Sequence, residues 1–281
     1  MRNLTRDEAV WRFVGYSFVL LVTLLMIVPI YWIVVASTLP EQVFLSGGSD
    51  LQLLPGTNFL ANLDALQARE GVDFIGSIWN SVFIAVVYTL LSLVLCSMGG
   101  FAFAKYDFRF KEPIFYSILA TLTLPIQLLV IPLFLLISQM GLTNSYWAII
   151  LPWAANPLGI FLMRQNMKQI PDALLESARI DGATEFQLYY RIALPTMKSS
   201  LAALAIVLFL FQWNLFLFPL VVLEQGKYTI PVAINELVGA QRVYYDQIMV
   251  AAALSIIPLF LVFLFLQRHF VSGILAGSVK E

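Results

Sequence analysis

Charge is the scarcest property of this chain. Of its 281 residues 12% are charged and 60% are hydrophobic. A soluble domain carries roughly 25% charged residues, so a water-soluble globule is excluded. Cysteine occurs once, at Cys96, so neither a disulfide framework nor a cysteine metal site can be built. Alone in an apolar run, Cys96 reads as a small packing residue. Histidine also occurs once, at His269 beside Arg268. That leaves no Ser/His/Asp constellation, so no catalytic residue and no metal site is assigned. His269 reads as a headgroup-level residue at the inner end of the last apolar run. The net charge is −1 and no basic stripe is interleaved with aromatics, so no nucleic acid partner is expected.

What the chain has instead is long runs without charge. Residues 13–36, 74–104, 113–163, 199–223 and 247–267 contain no Asp, Glu, Lys or Arg. A spanning helix needs about 20 apolar residues. The 113–163 run has 51 residues and must therefore hold two spans, divided at the polar turn Gly141 to Ser145. The expected fold is an all-α integral membrane protein, a single domain over residues 1–281. Its six transmembrane helices lie near 13–36, 79–104, 113–138, 146–163, 200–223 and 247–267. The first run is too long for the 7–15-residue core of a signal peptide and is read as a span.

Lys and Arg set the orientation. With the N-terminus inside, segments 1–12, 105–112, 164–199 and 268–281 hold 13 of the 16 basic residues, leaving Arg69, Lys227 and Arg242 outside. Both termini are expected in the cytoplasm. Asn62 to Glu70 reads as a short surface helix in the first outer loop, and Tyr228 to Pro231 as an extended piece in the second. Seven prolines fall within the spans: Pro29, Pro125, Pro132, Pro152, Pro157, Pro219 and Pro258. Each deletes a backbone hydrogen bond and bends its helix, which suits a gated path and also suits ordinary membrane-helix packing. Ion and proton routes are marked by charges at membrane depth. This chain has none there, so an energy source must lie outside it or be absent. An autonomous secondary transporter would need intramembrane charge or inverted repeats, and neither is seen in the sequence.

Between two apolar runs lies a polar island, Glu176 to Pro195, within the inner segment 164–199. Pro171 and Asp172 open a short helix through Ile180, with Asp172 as its N-cap. Asp181-Gly182 ends it, since glycine tolerates the left-handed backbone of a helix terminus. Thr184 and Gln187 form a capping box for a second helix that stops before Pro195. Glu176, Asp181 and Glu185 would be repelled by an anionic leaflet, so a compact corner that docks into another protein is favoured over a loop lying on headgroups.

These residues resemble a known family. Glu176, Ala178, Gly182, Ile192, Leu194 and Pro195 match the EAA loop of permease subunits of ATP-binding-cassette importers, and Asp181-Gly182-Ala183 matches as well. Ser177 stands where that pattern has alanine, a mild departure. Trp213-Asn214 with Pro219-Leu220, and the stretch Ile131-Pro132 through Gly141 to Trp147, look like the carbohydrate-uptake branch. The end of the chain, Gln267 to Lys280, is similar to the tail of the maltose-type inner permease. The resemblance covers essentially the whole chain.

The resemblance implies the type I importer permease fold in a bacterial or archaeal inner membrane, a multi-pass chain surrounded by lipid. It also implies partners: a second permease subunit, heteromeric by the maltose-type tail, two ATPase subunits, and an extracytoplasmic solute-binding protein. The chain itself is then no enzyme and binds no cofactor, with ATP and magnesium held by the ATPase. Leu175, Glu176, Ala178, Asp181, Gly182 and Ala183 would dock the ATPase. Gly273, Gly277 and Lys280 of the tail would contact it as well. Gly226, Tyr228 and Pro231 would meet the binding protein. Trp213, Asn214 and Phe216 are candidates for the solute path, since aromatic faces and a neutral amide suit a sugar, although Trp and Asn also glue spans together. Leu54-Pro55-Gly56-Thr57 followed by Asn62 looks like glycerol-phosphate permeases, so glycerol phosphate or a polyol stands as the alternative solute.

Overall fold

The computed structural model describes residues 6–45, 52–238 and 242–278, and no strand occurs among them. The helices are α1 (Arg6–Ala36), α2 (Glu41–Leu45), α3 (Phe59–Gln67), α4 (Phe74–Lys105), α5 (Lys111–Ala120), α6 (Ile126–Gln139), α7 (Tyr146–Ile150) and α8 (Pro157–Met167). They continue with α9 (Asp172–Ile180), α10 (Glu185–Gln187), α11 (Leu194–Thr196), α12 (Lys198–Trp213), α13 (Leu217–Val222), α14 (Ile230–Glu236) and α15 (Tyr245–Ser278). Three helices contain stretches long and apolar enough to cross a membrane, Trp11–Ala36, Phe74–Lys105 and Tyr245–Phe265. Three bent pairs are apolar enough when each is taken together: Lys111–Thr123 with Ile126–Gln139, Tyr146–Trp153 with Pro157–Met167, and Glu185–Thr196 with Lys198–Trp213.

The chain divides into two compact units, Met1–Val72 with Ile234–Ile256, and Asp73–Ala233 with Ile257–Glu281. In the first, α1 is apolar all round: Trp11, Phe13, Tyr16, Phe18, Leu21 and Leu25 are all exposed, as a helix bathed in lipid requires. The short helix expected over Asn62 to Glu70 is α3, which begins earlier, at Phe59, and Asn62 is buried in it. There the Asn62 amide donates to the carbonyls of Ser37 and Leu39, at 3.0 and 2.9 Å, which close the end of α1. Arg242 pairs with Glu41 at 2.5 Å, and Arg69 lies 3.6 Å over the Tyr244 ring.

The second unit is organised on α4. Its N-cap, Asp73, accepts from the Gly76 amide at 2.8 Å, and α8 and α12 both pack along its length. Glycines permit the approach. A Cβ on Gly100 would lie 2.4 Å from the Met163 Cβ and 2.8 Å from the Arg164 amide nitrogen. One on Gly159 would lie 2.7 Å from the Cys96 sulfur. Cys96 is buried between these helices, consistent with a packing role. Below this contact the buried Arg164 pairs with Glu112, donates to the Phe103 carbonyl at 3.1 Å and covers the Phe115 ring at 3.9 Å. One cation thereby ties α8 to the end of α4 and the start of α5.

Several of the expected spans are bent or broken, each for an identifiable reason. Residues 113–138 turn through 105° between Thr123 and Ile126. Pro125 forces Leu124 out of helical backbone, to ψ 121°. The 146–163 span bends by 44° where Pro157 opens α8. The helix expected over 200–223 stops at Trp213 and resumes at Leu217. The Pro219 ring clashes with a continuing helix at the carbonyl four residues back, and the Asn214 side chain turns back to the Leu210 carbonyl at 2.8 Å.

Candidate coupling and transport sites

The polar island folds as a sharp helical corner. Helix α9 ends in paired bonds. The Ala183 amide reaches back to the Ala178 carbonyl at 2.9 Å, and the Gly182 amide to the Arg179 carbonyl at 3.0 Å. This is the Schellman arrangement. It needs Gly182 in left-handed backbone, and its φ is +85°. The capping box at Thr184 and Gln187 forms as expected. Two expectations are corrected. Pro171, not Asp172, occupies the N-cap position of α9, because its backbone is still extended at ψ 132° and Asp172 is already helical; the Asp172 carboxylate instead lies 2.7 Å from Lys105 Nζ. The second helix does not stop before Pro195: a wide π turn, Leu188–Ala193, carries it on through α11.

The corner has a buried back and an exposed front. Leu175 is buried, and Ala178 and Ala183 are half-buried against the core. Glu176, Asp181 and Gly182 are exposed, and a Cβ on Gly182 would meet nothing within 4 Å. Ile180 is 86% exposed and Phe186 63% exposed, although both are large and apolar. Of the six residues singled out in the sequence, three therefore anchor the corner and three face outward. The outward apolar residues Leu174, Ile180 and Phe186 were missed. Leu174 shares the apolar face of Leu175 and Ala178 by spacing yet is exposed, and the signal for Ile180 and Phe186 was a large apolar residue on each side of the polar turn.

Polar bonds lash the corner to the end of α4. Besides Asp172, Lys105 Nζ donates to the Ile170 carbonyl at 2.5 Å. Arg179 grips Glu185 across the corner with two bonds, at 2.9 and 3.2 Å. The Tyr106 hydroxyl donates at 2.5 Å to Glu185 Oε2, the oxygen that also accepts from Arg179 Nη2. The Tyr189 and Ser97 hydroxyls meet at 2.7 Å. The electrostatics follow. Lys105 holds Asp172 below the usual carboxylate range, and Arg179 with Tyr106 does the same for Glu185. Burial and the Glu185 carboxylate push Tyr106 up to about 12. The Lys105–Asp172 pair joins residues 67 apart in sequence, a distance that hid it from sequence reading.

The remaining predicted residues are placed unevenly. Trp213 is 4% exposed and stacked on Phe209 at 5.5 Å, Asn214 is exposed and Phe216 half-buried. In the segment after α13, Gly226 is exposed at φ +88° with open space beside it. Asn80 Nδ2 donates to the carbonyls of Gly226 and Tyr228 at 3.3 and 3.0 Å, so this loop is pinned to the start of α4. The expected extended piece instead turns helical at Ile230, with Tyr228 and Pro231 half-buried. Gly273 and Gly277 lie on α15, and Lys280 lies outside the described residues.

The described residues are helical, with apolar spans bent at prolines and an exposed polar corner, the architecture of a multi-pass membrane protein. The family described as the binding-protein-dependent transport system inner membrane component matches residues 96–275, and the chain belongs to that family. It is 35% identical over 270 residues to the arabinooligosaccharides transport system permease protein AraQ of Halalkalibacterium halodurans, covering 95% of each chain. It is 36% identical over 268 residues to the lactose transport system permease protein LacG of Rhizobium radiobacter, covering 95% of this chain and 96% of that one. A chain of a bacterial ABC transporter that imports the acidic polysaccharide alginate shares the fold, with a TM-score of 0.77 at 22% identity, over 96% of this chain and all of that one.

Proposed function

We propose that this chain is one of two permease subunits of an ATP-driven, binding-protein-dependent importer of a neutral sugar or oligosaccharide. The spans near 113–138 and 146–163 are each one bent pair and the fifth is α12 with α13, so with α1, α4 and α15 six spans cross the membrane with both termini inside; the distribution of Lys and Arg supports this orientation. The observation that carries the reading is the corner at Gly182, rigid behind and bare in front. Glu176, Asp181 and Gly182, flanked by Leu174, Ile180 and Phe186, form the face that docks in an ATPase subunit. Leu175, Ala178 and Ala183 hold that face from behind.

Closure of two ATPases pushes the corner, and Lys105–Asp172, Tyr106–Glu185 and Tyr189–Ser97 pass the movement to α4. The spans packed on α4 then shift between inward- and outward-facing arrangements. ATP and magnesium stay on the ATPase. The tail, with Gly273, Gly277 and Lys280, makes a second contact beneath, and the loop at Gly226, Tyr228 and Pro231 meets the binding protein. The sugars named for the relatives support a sugar as solute. The lack of any Lys or Arg in 113–163 and 199–223 favours a neutral sugar over a phosphate ester.

The test is gentle-detergent purification of the tagged chain from its native membrane, with mass spectrometry of what accompanies it. Recovery of an ATPase, a second permease and a binding protein, followed by a sugar ligand for that binding protein, is the expected result. A chain that purifies alone under several mild conditions refutes the proposal.

A further inference from the structure

Asn144 lies in the turn between α6 and α7, and every polar group it has is bonded to one distant segment. Its backbone N–H donates to the Val222 carbonyl at 3.0 Å. Its side-chain oxygen accepts from the Glu224 amide at 3.2 Å, and its side-chain nitrogen donates to the Glu224 carboxylate at 3.1 Å. Its carbonyl accepts from Lys227 Nζ at 2.7 Å. The residue stands in left-handed backbone at φ +52°, which asparagine adopts more readily than most side chains.

The same segment is held a second time, from α4. Asn80 donates to the carbonyls of Gly226 and Tyr228. The Tyr146 hydroxyl donates to Asn80 Oδ1 at 2.7 Å, which fixes the end of the amide that faces the segment. The Ile230 amide donates to the buried Ser81 hydroxyl at 2.8 Å. Lys227 Nζ also lies 5.8 Å over the Tyr146 ring. These bonds bracket Glu224, Gln225 and Gly226, which are themselves exposed. A Cβ on Gly226 would meet nothing within 4 Å.

Connecting segments are ordinarily the mobile parts of a fold. Joining α13 to α14 requires no fixed conformation at 224–226, yet side chains from two other elements impose one. A segment that is rigid on both flanks and bare at its tip suits docking, because the entropy of ordering it is lost before the partner arrives. We propose that Asn144 is a positioning residue, with Asn80 as a second clamp, that holds 224–226 in the conformation met by the solute-binding protein. The proposal rests on the reading above that the Gly226 loop meets that protein. It adds residues outside the loop that act on the contact through it.

The test uses the complete importer assembly in lipid nanodiscs, with the sugar-saturated binding protein recovered with it as probe. Asn144→Gly keeps the left-handed backbone without strain and removes both side-chain bonds. Deuterium exchange over 223–230 should quicken roughly tenfold. The binding-protein concentration that half-maximally stimulates ATP hydrolysis should rise about five- to tenfold, with the maximal stimulated rate unchanged. A merely structural role would lower the maximal rate or the yield and leave the half-saturating concentration in place. Asn144→Asp keeps an acceptor for the Glu224 amide but sets two carboxylates against each other, so it should raise the half-saturating concentration similarly. Adding Glu224→Gln to that variant supplies a donor in place of the second carboxylate and should reverse most of the rise, a coupling that a double-mutant cycle reads. This pair decides alone if Asn144→Gly fails to assemble. Unchanged exchange in Asn144→Gly, unchanged half-saturation despite faster exchange, or the same loss with and without Glu224→Gln overturns the proposal. If wild-type ATP hydrolysis does not respond to the binding protein although 223–230 is protected, the parent reading fails and the proposal with it, an outcome visible before any variant is made.

Discussion

Gly182 separates two consequences of one substitution, backbone strain and lost docking. Its φ is +85°, where an L side chain costs roughly 1–2 kcal/mol. No clash adds to this, because a Cβ there would meet nothing within 4 Å. Gly182→Ala should therefore destabilise by about 1 kcal/mol, seen as a melting shift of about 2–4 °C if unfolding is cooperative. Asn visits left-handed backbone more readily, so Gly182→Asn should melt higher than Gly182→Ala. Docking ranks the two the other way, because asparagine places more atoms on the exposed front. Coupled uptake should fall from wild type to Gly182→Ala to Gly182→Asn, while the melting temperature falls from wild type to Gly182→Asn to Gly182→Ala. The assays are thermal unfolding of the detergent-purified assembly and ATP-dependent uptake in proteoliposomes. Identical ranking in the two assays, or full coupling in Gly182→Asn, refutes the docking face.

Adjacent glycines on α4 should behave differently. Gly100→Ala drives a methyl onto the Met163 Cβ at 2.4 Å and the α8 backbone at 2.8–2.9 Å and should destabilise by about 1–3 kcal/mol. Gly99→Ala meets only the Ile160 side chain at 3.5 Å and should stay within about 0.5 kcal/mol; thermal unfolding of both variants decides. The corner should also loosen in acid. Asp172 and Glu185 have lowered carboxyl pKa values when folded, so their contribution is present at neutral pH. It is lost as pH falls below the ordinary carboxylate range of about 4 and through the lowered values. Hydrogen–deuterium exchange should find protection lost over 172–187 below pH about 4 while α4 stays protected; equal protection of the corner at pH about 3 refutes this.

Much was legible in the sequence because one physical rule dominated. In lipid, backbone polar groups must be satisfied within a helix, so long charge-free runs had to become helices. The turn at Gly141, the glycine stop at Gly182 and the Thr184–Gln187 capping box are local chemistry, written in residues three to five apart, and all are present. Prolines marked where helices would bend, but not by how much. The 105° fold at Pro125 and the break at Asn214 depend on what packs in the space that each bend opens.

The sequence by itself determined a helical membrane chain and located the polar corner, because hydrophobic length and local capping are short-range properties. Only the tertiary structure decided which side of that corner is anchor and which is free. Leu175 and Glu176 are neighbours in the chain, yet one is buried and the other exposed. The structure alone also brought Lys105 to Asp172 and Asn156 to Tyr88. Those meetings depend on how closely α8 and α12 approach α4, which is set by the glycines between them and by no local signal in the chain.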